Sequence, residues 1–304
     1  MESIEDIRRR IKNASDLYAI VRTMRALALT SIRQYERAVE SLGDYYRTTE
    51  LGLHVVLTTA VREGYALPPA PRKPLAERGT GIIVFGSDQS MCGQFNEQIA
   101  SYTAERLAHL GIPPHNLHVI AIGSRVAPLL AEHGLPADEL LSLPGSVAAI
   151  TPIVQELLLE SDQWQNPTTQ PIIEQIYLFY NRLQSTVAYR PRMQRLLPIN
   201  LRQLRHLEQQ RWPSPVLPTF SMDWQPLFSA LLREHLFVSL FRAFAESLAS
   251  ENAARLVSMQ AAERNIEERL DELHRLYHHQ RQDAITSELM DIISGFELLS
   301  QPPS

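Results

Sequence analysis

The sequence has 304 residues, a formal net charge of −5 and one cysteine, Cys92. The mild negative charge does not favour nucleic-acid binding, and one cysteine supports neither a disulfide framework nor a zinc ligand set. There is no recognisable signal peptide, and no apolar run reaches the roughly 18 residues that span a bilayer. The chain is therefore expected to be soluble and intracellular.

The first predicted element is a long N-terminal coiled-coil helix, assigned to residues 1–66. Its apolar residues recur at alternating intervals of three and four, and Arg25 alone does not suit this seam. The positions are Ile4, Ile7, Ile11, Ala14, Tyr18, Val21, Arg25, Ala28, Ile32, Tyr35, Val39, Leu42 and Tyr46. Residues 8–37 also carry eight Lys or Arg against two acids, which indicates either a solvated helix face or a site for an acidic protein partner.

An α/β domain is predicted next, over residues 79–212, after a proline-rich connection ends the first helix. Continuous apolar runs that alternate with helices indicate a small, largely parallel sheet. Strands are expected at 82–85, 117–122, 140–143, 172–180 and 187–197, and helices at 95–110, 125–133 and 148–160.

The last predicted element is a second coiled-coil helix over residues 219–299, with no glycine or proline between Pro226 and Gly295. Its seam is predicted to pause for eight residues after Tyr277 and then to resume. The positions are Ile266, Leu270, Leu273, Tyr277, Ile285, Leu289, Ile292, Phe296 and Leu299. Overall we predict an α+β fold, a long antiparallel coiled coil of the N- and C-terminal helices (219–299 pairing with 1–66) with an inserted Rossmann-like α/β domain. Part of the last helix is expected to project beyond its partner.

No catalytic, cofactor-binding or metal-binding residues are predicted. The sequence lacks a phosphate-binding loop, and Gly79-Thr-Gly81 precedes a strand instead of following it. Cys92 opens a helix, which favours a reactive thiol, but a nucleophile also needs a base, and His109, the nearest histidine in sequence, lies at the far end of that helix. His278 and His279 are adjacent and so diverge on a helix, which argues against a metal pair.

Three stretches carry a resemblance to a known family. Residues 87–96, Ser87-Asp-Gln-Ser-Met-Cys-Gly-Gln-Phe-Asn96, resemble the signature S-D-R-G-L-C-G-x-F-N of gamma subunits of F-type ATP synthases. Residues 251–265 and 277–295 are similar to that family's runs S-E-x-x-A-R-M-x-A-M-x-x-A-x-x-N and Y-N-x-x-R-Q-x-x-I-T-x-E-x-x-E-I-x-x-G. Gln89 and Ser90 depart from the usual Arg-Gly, which suggests a divergent bacterial branch.

The resemblance implies a non-catalytic rotor subunit of the central stalk, which couples the flow of protons or sodium ions to ATP synthesis or hydrolysis. It implies that the chain binds no cofactor or nucleotide and has no transmembrane segment of its own. The implied partners are the alpha and beta subunits of the catalytic ring, the epsilon subunit and the c-ring. The implied location is peripheral, on the cytoplasmic face of the bacterial inner membrane. The alternative is a cytosolic coiled-coil scaffold with an α/β binding module.

The resemblance also implies two groups of residues that contact a beta subunit. The expected contact residues are Arg22, Met24, Arg25, Arg281, Gln282 and Thr286. Arg281 and Gln282 interrupt the apolar seam, and polar groups inside a protein sleeve need hydrogen-bond partners. A solvated surface is the other interpretation of both groups.

Overall fold

A computed structural model describes residues 3–62, 79–164, 173–185, 188–198, 216 and 218–300 of the chain. The helices are α1 (Ile4–Arg62), α2 (Phe95–Leu110), α3 (Val126–Glu132), α4 (Ile150–Trp164) and α5 (Trp224–Ser300). The strands are β1 (Gly79–Phe85), β2 (Leu117–Ile122), β3 (Glu139–Leu141), β4 (Ile173–Ser185) and β5 (Ala188–Leu197).

The chain separates into two compact units. One comprises residues 1–27 and 256–304, and the other comprises residues 28–255, so that α1 and α5 contribute to both. The predicted division at 1–66, 79–212 and 219–299 stays a prediction.

The N-terminal seam is confirmed in α1, because all thirteen predicted positions are buried or half-buried. Within the first unit, α1 and α5 run antiparallel: contacts join Arg25 to Glu263 and Tyr18 to Glu267, so that one residue number falls as the other rises. Within the second unit, the Tyr45 hydroxyl donates a 2.7 Å hydrogen bond to Glu234 of α5. The predicted fold class is confirmed.

The sheet has the order β3-β2-β1-β4-β5 within the described chain. The first four strands are parallel and β5 is antiparallel to β4. The predicted strands and helices all occur among the described residues, and β4 continues five residues beyond its predicted end to Ser185. The predicted positions 63–66, 172 and 187 lie outside the described residues. α5 begins at Trp224 and not at residue 219, which leaves Pro226 in the first turn, where a missing N–H costs nothing.

The strands β1, β2 and β4 are buried on both faces over most of their length, because their alternate residues enter different cores. Ile83 and Phe85 of β1 join the core that includes residues of α4 and α5, whereas Ile82 and Val84 join the core that includes residues of α2 and α3. α4 extends beyond its predicted end to Trp164, which lies so close to Gly81 that a Cβ there would come within 2.7 Å of the indole.

A pair of carboxyl groups lies between β3 and α4. Burial, a hydrogen bond with Glu139 and the charges of Glu139 and Glu156 raise the pKa of Glu160 to about 8. His118 is close to Glu139, with Nε2 3.3 Å from the carboxylate, and its Nδ1 is 3.5 Å from Asp138. Glu160 is therefore predicted to hold a proton at neutral pH.

Candidate functional site

The six predicted contact residues all belong to the first unit. Arg22, Arg281, Gln282 and Thr286 are exposed, and Met24 and Arg25 are half-buried. A four-residue helical spacing puts Gln282 and Thr286 on one face, where the Thr286 hydroxyl donates a 2.9 Å hydrogen bond to the Gln282 carbonyl oxygen. The structure therefore leaves four of the six side chains accessible to a partner.

The misfit at Arg25 has a physical explanation in the structure. Its Nη1 lies 2.6 Å from Oε2 of Glu263, a carboxylate whose side chain is only 10% exposed. Glu263 precedes Ile266 by three residues and so occupies the seam of α5. The two helices thus share one ionic layer in an otherwise mostly apolar seam. A polar layer of this kind favours one register, because any slip would leave both charges without partners.

Two further polar contacts join the helices in this unit. The Tyr18 hydroxyl donates a 2.7 Å hydrogen bond to Glu267, and this bond raises the pKa of Tyr18 above its usual range. Arg8 donates a 3.2 Å hydrogen bond to the Tyr277 hydroxyl, and its guanidinium carbon lies 5.9 Å from the centre of that ring.

The seam of α5 is predicted to pause after Tyr277 and to resume at Ile285. Gln280 and Ala284 continue the three-and-four spacing and are half-buried, whereas Ile285 is 48% exposed. Because Arg8 contacts Tyr277 and α1 begins at Ile4, the described part of α1 does not reach Ile285, and the predicted resumption of the seam there stays a prediction. The apolar residues beyond this point lie on a face that the described part of α1 does not cover.

The end of α5 is an exposed apolar surface, which agrees with the expectation that part of this helix projects beyond its partner. Leu289 is 55% exposed and Ile292 is 69% exposed, and Met290 and Ile293 beside them are also exposed. Phe296, Leu298 and Leu299 follow on the same helix, but their side chains lie outside the described residues. Large exposed apolar surfaces of this kind mark interaction sites.

A second apolar stripe on α1 was missed by the sequence analysis. Leu17, Ile20 and Leu27 are 54–62% exposed, and half-buried Met24 completes their three-four-three spacing. The three-and-four spacing of this stripe is visible in the sequence. Each of its residues directly precedes a residue of the seam, and the seam extends over more of the helix, so the sequence analysis assigned only the seam. The predicted contact residue Met24 thus belongs to an apolar stripe of its own.

The first signature stretch forms the connection between β1 and α2. The backbone N–H of Ser87 donates to the Asn96 side chain at 2.9 Å, and the Asn96 amide donates to the Ser87 hydroxyl at 2.8 Å. The Asp88 carboxylate accepts backbone hydrogen bonds from Ser124 and Leu143, each 2.8 Å long, which ties together the loops that follow three strands. These residues hold the ends of the parallel strands in place.

Cys92 is buried in this connection, with 3% of its surface exposed. Its sulfur lies 3.4 Å from the Ser87 hydroxyl and 3.5 Å from the Asn96 amide, and its apolar neighbours are Phe95 and Ala254. Among the described residues, these neighbours show the Cys92 thiol packed into the loop.

The second signature stretch contains a buried ion pair. Nη2 of Arg255 lies 2.6 Å from Oε1 of Glu251, and both side chains are more than nine-tenths buried. Burial raises the pKa of Glu251, and the neighbouring Arg255 opposes that shift. Removing either partner would leave a buried charge uncompensated.

Comparison with known proteins agrees with this arrangement. A family model described as ATP synthase matches residues 3–299. The chain belongs to the family of ATP synthase gamma chains. It is 25% identical over 298 residues to the ATP synthase gamma chain of Nitrosomonas eutropha, which covers 97% of this chain and 99% of that one. It is 26% identical over 310 residues to that of Brucella anthropi, with coverage of 98% and 100%.

Two solved structures contain chains with a fold similar to that of this chain. The rotor of the Euglena gracilis mitochondrial ATP synthase contains a chain with a TM-score of 0.61 and 15% identity, over 93% of this chain and 98% of that one. A chain of the Tetrahymena thermophila mitochondrial ATP synthase central stalk and c-ring has a TM-score of 0.53 and 18% identity, with coverage of 80% and 99%. Among the described helices of the present chain, none has the length and apolar character of a membrane span.

Proposed function

We propose that the chain is the central-stalk rotor subunit of an F-type ATP synthase, a non-catalytic part that couples ion flow in the membrane sector to ATP synthesis or hydrolysis. The observation that carries the proposal is the exposed apolar end of α5. Ile285, Leu289 and Ile292 lie on a helix whose described neighbours leave them about half exposed or more. Such a surface favours an enclosing protein sleeve, which a ring of catalytic subunits provides.

The ionic layer between the helices supports a mechanical role. A shaft that transmits torque must not let its two helices slide past each other. Arg25 and Glu263 favour a single register, since a slip along the seam would separate a guanidinium from a largely buried carboxylate. The contacts of Tyr18 and Tyr277 add specific polar contacts in the same helix pair.

The proposed partners are the alpha and beta subunits of the catalytic ring, the epsilon subunit and the c-ring. Membership of the gamma family supports this set. The proposed location is peripheral, at the cytoplasmic face of a bacterial membrane, with the α/β part of the chain as the source of the epsilon and c-ring contacts. The transported ion is a proton or a sodium ion.

The proposed beta-subunit contacts use two accessible surfaces. Arg281, Gln282 and Thr286 are exposed on α5, and within the described residues Arg281 has no carboxylate partner. A free guanidinium can present a planar pair of donors to a carboxylate or carbonyl oxygen of a partner.

The second surface combines charge with apolar area. Arg22 is exposed beside the stripe that contains Met24, and Arg25 keeps 40% of its side chain exposed and several free N–H groups despite its bond to Glu263. This surface suits a partner loop that carries both an acidic and an apolar side chain.

Co-expression with the alpha and beta subunits of the same organism tests the proposal. We expect an affinity tag on the chain to copurify both subunits in a fixed ratio, the complex to hydrolyse ATP, and the soluble yield to exceed that of the chain alone. If the chain is monomeric and resists aggregation at high concentration, and neither subunit copurifies with it, the rotor proposal fails and the scaffold alternative is favoured.

A further inference from the structure

Three arginines meet on the hairpin of β4 and β5. Arg182 of β4 is directly opposite Arg190 of β5, and Tyr180 is directly opposite Arg192. Residues two apart on a strand, and residues opposite each other on neighbouring strands, project from the same face of a sheet. Arg182, Arg190 and Arg192 therefore form one basic surface, here termed the hairpin arginines. Like charges placed directly opposite each other destabilise a strand pair, so this arrangement calls for an explanation.

The charge of the hairpin arginines is not balanced by the described part of the chain. Oε1 of Glu246 on α5 lies 3.6 Å from Nε of Arg182, but the same oxygen already accepts a 2.8 Å hydrogen bond from Arg242. Among the described residues, neither Arg190 nor Arg192 has an ion-pair partner. This excess of positive charge occurs in a chain whose net charge is −5.

The hairpin arginines line an open concavity of about 590 Å³. Its other lining residues are Leu183, Gln184 and Pro191. Pro191 offers no backbone N–H, and Arg190 and Arg192 are separated along β5 by roughly 7 Å, the spacing of two residues on a strand, whereas Arg182 lies opposite Arg190. A compact phosphate group favours converging backbone N–H donors, whereas the spacing of Arg190 and Arg192 matches that of alternate side chains on an extended peptide.

Protection of a sheet edge explains only part of the arrangement. Charged residues and proline on an outer strand prevent pairing with another chain, and β5 is the outer strand of the described sheet. Arg182, however, lies on β4, which has strands on both sides. Its guanidinium points to the face shared with Arg190 and Arg192 and cannot protect the edge.

We propose that the hairpin arginines bind an acidic peptide segment, with two or three Asp or Glu side chains, of a neighbouring protein subunit. Each guanidinium would pair with one carboxylate of the segment. The identity of the partner as a subunit of the same complex rests on the proposed function. The recognition chemistry does not, so the two can be tested separately.

The first experiment uses the full-length chain and a fluorescently labelled hexaglutamate peptide. We expect binding at low salt that weakens as salt is added, and at least tenfold weaker binding by the variant Arg182→Gln/Arg190→Gln/Arg192→Gln. The matched control is Arg33→Gln/Arg37→Gln/Arg47→Gln, which removes the same charge from exposed positions of α1 and should change the affinity less than threefold.

Three results of this titration would overturn the proposal. They are an absence of hexaglutamate binding, equal losses in the two triple variants, and binding of tripolyphosphate by a chain that does not bind hexaglutamate. The last result would assign the surface to a phosphate ligand.

The second experiment uses the purified ATP synthase complex and exploits the rarity of lysine, since Lys12 and Lys73 are the only two in the chain. With Arg190→Lys, a carbodiimide activates a carboxyl group, the new amine attacks it, and an amide forms as the reagent leaves as its urea. We expect a cross-link from position 190 to an Asp or Glu of another subunit, and none from the control Arg47→Lys. A complex that hydrolyses ATP but yields no such cross-link would contradict the proposal for the hairpin arginines. Failure of the wild-type complex to assemble would contradict the rotor function instead, and the result with the peptide would still hold.

Discussion

The ion pair between Arg25 and Glu263 gives the sharpest quantitative prediction. Fully exposed ion pairs contribute roughly 0.2–1 kcal/mol, and removing one partner of a fully buried pair costs about 3–5 kcal/mol. Arg25 is 40% exposed and Glu263 is 10% exposed, so this pair lies between the two limits. We expect Arg25→Ala to lower the free energy of unfolding of the helix pair by about 1–2 kcal/mol. Arg25→Glu should lower it by about 2–3 kcal/mol, because two carboxylates would then face each other.

The decisive test is the charge swap. Glu263→Arg alone should destabilise the pair much as Arg25→Glu does, and the double variant Arg25→Glu/Glu263→Arg should recover about 2 kcal/mol relative to the sum of the two single changes. Arg22→Glu is the matched control, since this exposed charge reversal should stay within about 0.5 kcal/mol of wild type.

Urea unfolding followed by far-ultraviolet circular dichroism measures these differences. Tryptophan fluorescence is unsuitable, because the tryptophans are at positions 164, 212 and 224 and none belongs to the unit that contains this ion pair. A coupling energy below about 0.5 kcal/mol in the double-variant cycle would show that the ionic layer does not fix the register.

Three further predictions concern packing, protonation and the proposed contact surface. A Cβ at Gly86 would lie 2.4 Å from the Cβ of Val126, so Gly86→Ala should destabilise the chain by about 1–3 kcal/mol in urea unfolding. Gly43 has open space around it, and Gly43→Ala should stabilise the chain by about 0.5–1 kcal/mol. Equal effects of the two substitutions would refute the packing argument. The pKa of Glu160 is about 8 in the folded chain and near 4.5 in the unfolded chain, so between these pH values unfolding releases a proton from Glu160. The free energy of unfolding should therefore fall as pH rises from about 4.5 through 8. Glu160→Gln should therefore stabilise the chain at pH 8.5, on the order of 1 kcal/mol given its partial exposure, and not at pH 4; the same gain at both pH values would contradict the shift. Arg281→Ala with Gln282→Ala should leave unfolding within about 0.5 kcal/mol of wild type but sharply lower steady-state ATP hydrolysis by the assembled complex, and near-wild-type turnover would assign both side chains to solvated surface.

The α/β part could be predicted from the sequence because its signals are local. A short, continuous apolar run followed by glycine, as at Ile82 to Gly86, fits a buried parallel strand, and the structure places β1 in the middle of the sheet. The ends of the elements depend on packing that local sequence does not reveal. α4 continues to Trp164 because the indole fills the space above Gly81, a contact across more than eighty residues.

The coiled coil shows where periodicity stops being informative. The three-and-four spacing identified the seam of α1 correctly, but it marked Arg25 only as an exception, since its partner Glu263 is remote in sequence. The spacing also could not distinguish apolar residues that pack against α1 from apolar residues that remain exposed for binding another protein. Ile285 and Leu289 continue an apolar pattern, yet they lie outside the seam that includes Gln280 and Ala284.

The central claim is that this chain turns inside a catalytic ring, and direct observation of rotation tests it. Glu105 is exposed on α2 and the native thiol of Cys92 is buried, so Glu105→Cys gives a selective attachment point for a bead in a complex immobilised through its beta subunits. We expect added ATP to make the bead turn continuously in one direction. A complex that hydrolyses ATP while the bead stays fixed would contradict it.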